Sequence, residues 1–331
     1  MKNINIFIII CLLLSGSVSF SDDGSFSDWK ISFKKYALTK NISEETFNTV
    51  MENARFLPKV IEYDRYQPEF YEDTNTYVSK RASNNKLKNG LNFYNKNKIL
   101  INKIEKEFKV EQELLLALMG IETNYGTYVG KMDIISSLAT LSFDKRRTEF
   151  FTNELITILK LVDEGIVDYK ILYGSWAGAF GYFQFMPSTI EKYAIDYNKN
   201  NLIELKNPHD SFASAANYLK KIGWKKNKPC FLKVDLDRNI PKKYLNTSAK
   251  KIKNKKKLKF FKKYIVNYDN AISGNPLVGI ITPDFEIVEN PNKYEPAYIV
   301  FENYELILKW NRSLRFALAV CTLKDKLKNE I

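Results

Sequence analysis

The stretch LLLALMGIE, residues 114–122, sets eight residues without a polar side chain ahead of a glutamate. At helical spacing Leu114, Leu115, Leu116, Leu118, Met119 and Ile121 cover most faces of the helix, so it must be buried inside a larger core. Glu122 stands near the end of that helix. The helix dipole disfavours a negative charge there, as do the apolar neighbours, and both push a carboxyl pKa upward. A carboxylic acid still protonated near neutral pH is what general-acid catalysis requires. A buried glutamate bonded to a neighbouring turn, or one facing solvent, would fit the same stretch. These residues alone do not choose among the three.

The rest of the composition narrows the chemistry. The chain has 331 residues, 45% hydrophobic and 14% aromatic, which suffices for one large or two ordinary domains with a sizeable core. His209 is its single histidine. That excludes a Ser-His-Asp triad, a histidine-assisted cysteine nucleophile and a multi-histidine zinc site. Carboxylates, hydroxyls or amides must do the work. The net charge is +13, which favours anionic partners. The densest basic run, AKKIKNKKKLKFFKKY (249–264), has no accompanying nucleic-acid motif and reads as a solvated face. No nucleic-acid partner is expected.

The first residues read as an export signal over 1–21. Lys2 is the charged start, Ile4 to Leu14 the apolar run, and Ser15 to Ser21 the small polar end. Cys11 follows Ile10, where a lipidation site needs a small residue, so no lipid anchor is expected. No other segment is long and apolar enough to span a membrane. Cys230 and Cys321 remain after export, and an oxidising compartment permits either a disulfide or two buried thiols.

Helical periodicity runs from Asp28 to Ile61, with Ser43 capping one helix. Residues 62–90 are polar and irregular and read as a connecting excursion. Two helices follow from Leu91 to Glu122, then one over 150–165 ended by Gly165 and one over 211–224 ended by Gly223. After Pro229 the pattern changes to β-type runs, LVGIITPDFEIV (277–288) and AYIVFENY (297–304). Helical spacing returns at 304–327. The expected organisation is a helical region over 22–230, a strand-containing insertion over 231–303, and a closing helical segment over 304–331.

Three further stretches bear on chemistry. YGSWAGAFGYFQFMPSTIEKY (173–193) spaces Gly174, Gly178 and Gly181 among Tyr173, Trp176, Phe180, Tyr182, Phe183 and Phe185, which suits close approach by a sugar as well as a packed turn. Ser188 and Glu191 are spaced as a capping box for the helix that follows. DYNKNNLIELKNPHD (196–210) repeats Asp196, Asn198 and Asn200 like the start of a calcium loop, with Leu202 offering a carbonyl and Asp210 a late carboxylate. By spacing alone it is an Asn-rich turn. Arg146 and Arg147 could hold an anion or pair with Asp144 or Glu149.

In order along the chain, GIETNYGTYVGK, LATLSFDKRRTEFF, GSWAGAFGYFQFMPS, AIDYN, NPHDSFASAANYLKKIGW and WNRS closely resemble the membrane-bound lytic murein transglycosylase B family. The match runs from about Leu91 to Trp224 and resumes at Trp310 to Ser313. The resemblance implies a mainly α, lysozyme-like helical core with a small strand-containing accessory insertion. It implies cleavage of the β-1,4 bond between N-acetylmuramic acid and N-acetylglucosamine in peptidoglycan, with closure to a 1,6-anhydro end. Glu122 would be the single acid/base. Ser175, Gln184, Phe185, Tyr218 and Asn311 match substrate positions, and Arg146 and Arg147 match an arginine pair near the peptide-bearing part of the substrate.

Asp196, Asn198, Asn200, Leu202 and Asp210 match the family's calcium loop; with few carboxylates, the expected ion is weakly held and structural. No cofactor is needed for the chemistry. The chain departs from the pattern at Asn124–Tyr125, Phe183, Trp310 and Phe316, the last two at tyrosine positions. The expectation is a soluble periplasmic monomer acting on glycan strands. A hydrolytic muramidase and a non-catalytic peptidoglycan-binding protein of the same fold are the alternatives.

Overall fold

A computed structural model describes residues 25–66, 72–266, 274–285 and 294–331. The export-signal reading of residues 1–21 and the end of the 277–288 run lie outside these residues. The chain opens with α1 (Phe26–Thr39), α2 (Glu44–Met51), α3 (Pro58–Arg65), α4 (Thr74–Arg81), α5 (Asn84–Phe108) and α6 (Gln112–Thr123). Short strand β1 (Met132–Asp133), α7 (Ile134–Phe143) and α8 (Thr148–Asp163) follow. Next come β2 (Tyr173–Gly174), α9 (Pro187–Tyr193) and α10 (Pro208–Lys221).

The described residues of the 62–90 stretch are largely helical, contrary to the irregular reading. The end of α3, α4 and the start of α5 carry few apolar residues, so periodicity does not reveal them. α4 and α5 are capped instead: Asp73 accepts from the Thr76 N–H at 3.0 Å and Ser83 from Lys86 at 3.4 Å. Asp284, from a distant loop, accepts from the Thr74 N–H at 2.8 Å, from its hydroxyl at 2.6 Å and from Arg315 at 2.8 Å. All three residues are buried, and the Arg315 guanidinium also donates to the Pro283 carbonyl at 3.2 Å while its Nε has no partner.

α6 packs against α5 and α10. Leu114 through Met119 are fully enclosed, as the apolar run requires. Its first turn is fixed by Glu111, which is buried and accepts from the Trp224 indole and from the Asn227 N–H at 2.7 Å. Its last turn ends at Asn124, in the left-handed region at φ 48°. Tyr125 follows at φ 58° and Gly126 at φ 84°, so the chain turns sharply just past Glu122. The Tyr125 ring fills space left by Gly90 and Gly120; a Cβ on Gly120 would lie 2.6 Å from its hydroxyl. Both glycines let α5, α6 and this ring approach closely.

The remaining strands form a second sheet: β3 (Phe231–Val234), β4 (Leu245–Asn246), β5 (Lys256–Lys257), β6 (Leu277–Ile281) and β7 (Ala297–Val300), with α11 (Leu258–Phe261) between β5 and β6. The order is β3-β7-β6-β4, with β5 paired to β6; only β4 and β6 run parallel. It has its own core of Val234, Leu258, Phe261, Val278, Ile280 and Ile299. The basic run of 249–264 buries Ile252, Leu258 and Phe261 and leaves Lys256, Lys257 and Lys259 exposed, a solvated face as expected. The chain closes with α12 (Glu302–Trp310) and α13 (Leu314–Lys328), and α13 packs on α6, α4 and α5. A disulfide joins Cys230 to Cys321, with Cα atoms 6.2 Å apart. It ties the entrance of the second sheet to α13.

Candidate active site

Glu122 lies in the last turn of α6. The residue is partly exposed, yet its carboxyl is surrounded densely enough that desolvation is the largest influence on its pKa. Burial pushes it up to about 7, against a pull downward from the Trp310 hydrogen bond and, more weakly, from the Lys86 cation. The Trp310 indole N–H donates to Oε1 at 3.1 Å. Lys86 of α5 donates to the Gly120 carbonyl, one turn before the end of α6. Desolvation in turn holds the Lys86 ammonium below its ordinary range.

The glycine-aromatic stretch is tied to this helix end. The Thr123 hydroxyl donates to the Tyr182 carbonyl at 2.9 Å. Phe180 and Phe185 exchange backbone hydrogen bonds of 2.9 Å, closing a tight turn with Gly181 at φ 78° and Gln184 at φ 48°. A Cβ on Gly181 would collide with the Leu205 backbone and side chain, so the turn requires glycine there. The capping-box reading of Ser188 and Glu191 is corrected: the N-cap of α9 is Met186. Glu154 of α8 instead accepts from the Ser188 N–H at 2.8 Å and from its hydroxyl at 2.7 Å. A buried carboxylate from another helix satisfies the donors that a local box would have met.

Around Trp310 the aromatic rings are ordered. Tyr218 stacks on it at 4.9 Å between centroids, and Tyr193 stacks on the other side of Tyr218 at 4.3 Å. Phe185 meets the indole at 5.4 Å and Phe183 at 6.2 Å, both edge-on. The Tyr218 hydroxyl donates to the Lys309 carbonyl at 3.1 Å. The sequence-derived positions Phe185 and Tyr218 are therefore joined to Glu122 through Trp310, and exposed Asn311 is the next residue along. Gln184 donates its amide to the Gly181 carbonyl at 2.8 Å and to that of Val129 at 3.3 Å. Ser175 accepts from the Ala179 N–H at 2.9 Å within its own loop.

The two arginines are held elsewhere. Asp64 of α3 is buried and accepts from Arg146 Nε at 2.6 Å and from Arg147. Its carbonyl also accepts from Arg146 at 2.7 Å. The anchoring carboxylate is thus neither Asp144 nor Glu149 but a residue within the stretch read as irregular. The Arg146 and Arg147 side chains keep 46% and 38% of their surface exposed, so part of each faces outward, while the Arg147 Nε is buried without a partner.

The loop at 196–210 closes on its own hydrogen bonds. Asp196 accepts from the N–H groups of Asn200 at 3.1 Å and Asn201 at 2.7 Å. Asn198 accepts from Asn200 at 3.0 Å, and Asn200 from Leu202 at 3.1 Å. Asp210 is fully buried and accepts from Tyr197 at 2.9 Å and Glu204 at 3.0 Å. Among the described residues no group of three or more acidic, histidine or cysteine side chains is placed to hold a metal. Two carboxylates with amide and carbonyl oxygens fit a hard cation only weakly.

The sequence of residues 25–325 matches the Transglycosylase SLT domain model. The chain belongs to this transglycosylase family. The membrane-bound lytic murein transglycosylase B of Escherichia coli is 39% identical over 151 residues, 45% of this chain and 42% of that protein. The match therefore spans less than half of that relative's length. A crystal structure of SltB3 from Pseudomonas aeruginosa in complex with NAG-anhNAM-pentapeptide superposes with a TM-score of 0.82 at 30% identity, covering 92% of this chain and 80% of that one. The Escherichia coli lytic transglycosylase Slt35 in complex with calcium gives 0.75 at 25% identity, covering 91% and 93%. The fold is that of these helical lytic transglycosylases, with the smaller sheets attached.

Reading the sequence did not single out Lys86 or Asp64, and it did not set Trp310 against Glu122. Trp310 carried a signal, as a departure at a tyrosine position, but its meaning as a donor to Glu122 did not. Lys86 and Asp64 carry none, because nothing local marks a residue that meets its partner only after packing.

Proposed function

We propose that the protein is an exported lytic transglycosylase that cleaves the β-1,4 bond between N-acetylmuramic acid and N-acetylglucosamine in peptidoglycan. The observation that carries this reading is Glu122: one carboxyl with its pKa pushed up to about 7, hydrogen-bonded by the Trp310 indole that Phe185 and Tyr218 pack against, and influenced by the Lys86 cation. Ordinary glycosidases use two carboxyl groups. With one, Glu122 protonates the glycosidic oxygen as the bond to C1 breaks. The substrate's acetamido group stabilises the cationic carbon. Carboxylate Glu122 then takes the proton of the C6 hydroxyl as its oxygen closes onto C1. The leaving glycan keeps the first proton, Glu122 regains one, and no water is consumed.

Ser175, Gln184, Phe185, Tyr218 and Asn311 line the sugar path in this reading. Arg146 and Arg147, steadied by Asp64, face the carboxylates of the stem peptide. The likeness to the complex of SltB3 with an anhydro product supports the substrate class. The test is digestion of purified sacculi followed by mass spectrometry. Muropeptides one water lighter than reducing-end products are expected. Reducing ends alone would replace this reading with a hydrolytic muramidase. Binding to sacculi without cleavage would leave a binding protein.

The Cys230–Cys321 bond supports action in an oxidising compartment such as the periplasm. Among the described residues no helix is long and apolar enough to cross a membrane. The protein is proposed to work as a monomer. For calcium, the loop at 196–210 is proposed to bind weakly and structurally. Millimolar calcium should raise the melting temperature by only about 1–3 °C over a chelator, as expected for an ion present near its dissociation constant. Equal melting in calcium and in chelator would remove the metal from the proposal.

A further inference from the structure

We infer that Trp310 is the positioning residue of the acid: its indole N–H occupies Oε1 of Glu122 and so leaves Oε2 to carry the transferable proton. This rests on the glycan-cleavage reading for its catalytic meaning, though not for its geometry. The N–H to Oε1 distance is 3.1 Å. An indole nitrogen only donates, so it disfavours a proton on the oxygen facing it and favours one on the other. The donor is itself held on several sides. Tyr218 stacks on its face, while Phe185 and Phe183 press edge-on. Tyr218 cannot swing away easily, being stacked on Tyr193 and bonded to the Lys309 carbonyl. A donor fixed before substrate arrives costs no reorganisation during the reaction.

The other titratable groups near the acid do not replace this contact. Lys86 from α5 donates to the Gly120 carbonyl. Tyr218 from α10 spends its hydroxyl on Lys309. Tyr182 from the tight turn and Tyr125 from the turn after α6 both have their hydroxyl pKa raised by burial, so they stay neutral. α13 contributes Leu323 beside Gly120. Trp310 is thus the direct donor to the carboxyl, and it comes from a helix remote in sequence. A tyrosine hydroxyl here could donate or accept; an indole leaves one polarity.

The experiment compares the parent with Trp310→Phe by carboxyl-carbon NMR titration of Glu122 and by pH–rate profiles on sacculi. Loss of a donor to a charged acceptor should move the Glu122 titration upward by about one pH unit. The basic limb of the rate profile should move with it, and the maximal rate should fall roughly tenfold as the carboxyl loses its fixed orientation. A benzothienylalanine introduced at position 310 keeps the ring shape without the N–H and should reproduce the titration shift even if Trp310→Phe folds poorly. A folded variant whose Glu122 titrates as in the parent overturns the inference. If the titration moves but neither parent nor variant releases muropeptides, the positioning stands and the glycan-cleavage reading falls.

Discussion

Glu122→Gln is expected to lower the release of muropeptides by roughly 10²–10⁴-fold or more, because glutamine can neither give nor take the proton. The same change should make the protein more stable in alkaline solution. Glu122 in the folded chain titrates at about 7, against 4.5 for an ordinary glutamate. Its folded pKa is raised, so between those two values the folded state binds more protons than the unfolded one. Stability therefore falls as pH rises through that window, by at most about 3 kcal/mol in full. Glutamine carries no such penalty. Melting curves of the two proteins should coincide near pH 4, draw apart between pH 4.5 and 7, and stay fully separated above that, with the variant melting higher. Activity of the parent should fall as pH rises through about 7, where the acid loses its proton. A Gln variant that clears sacculi at the parental rate would sink the assignment. A variant no more stable than the parent at pH 8 would show that Glu122 is not held protonated by burial.

Removing the disulfide should have the largest effect on stability. Cys230 and Cys321 are 91 residues apart, and the loop they close contains the whole second sheet together with α12. Chain-entropy reasoning assigns a loop of this length about 4–5 kcal/mol. Reduction, or the double change Cys230→Ser with Cys321→Ser, should lower the melting temperature by about 10 °C. The bond joins two places that already meet. The Phe301 N–H donates to the Cys230 carbonyl at 2.8 Å, while Cys321 lies fully buried in α13. The helix that delivers Trp310 begins right after Phe301, so the cross-link also anchors the base of the element that meets Glu122. Identical melting with and without reductant would contradict a formed bond.

Where the sequence could be read, a local pattern carried the information. α6, α8 and α10 announce themselves by apolar spacing and by Gly165 and Gly223 beyond their ends, both in the left-handed region. β6 and β7 announce themselves as short β-branched runs. α4 and the end of α3 do not, because few apolar residues mark them and a buried ion pair with Asp284 and Arg315 helps hold α4 in place. Ser188 misled for a related reason: the right residue at the right spacing was claimed by Glu154 from another helix.

By itself the sequence determined that one helix must be buried on most faces, that a glutamate ends it, and that histidine chemistry is unavailable. Those follow from side-chain chemistry and helical period, which are local. Only the tertiary structure decided who meets that glutamate. Trp310 lies 188 residues away along the chain, and Asp64 reaches its arginines across 82 and 83 residues. Contacts of this kind form when packed elements bring donors and acceptors into register. No spacing along a single segment encodes them.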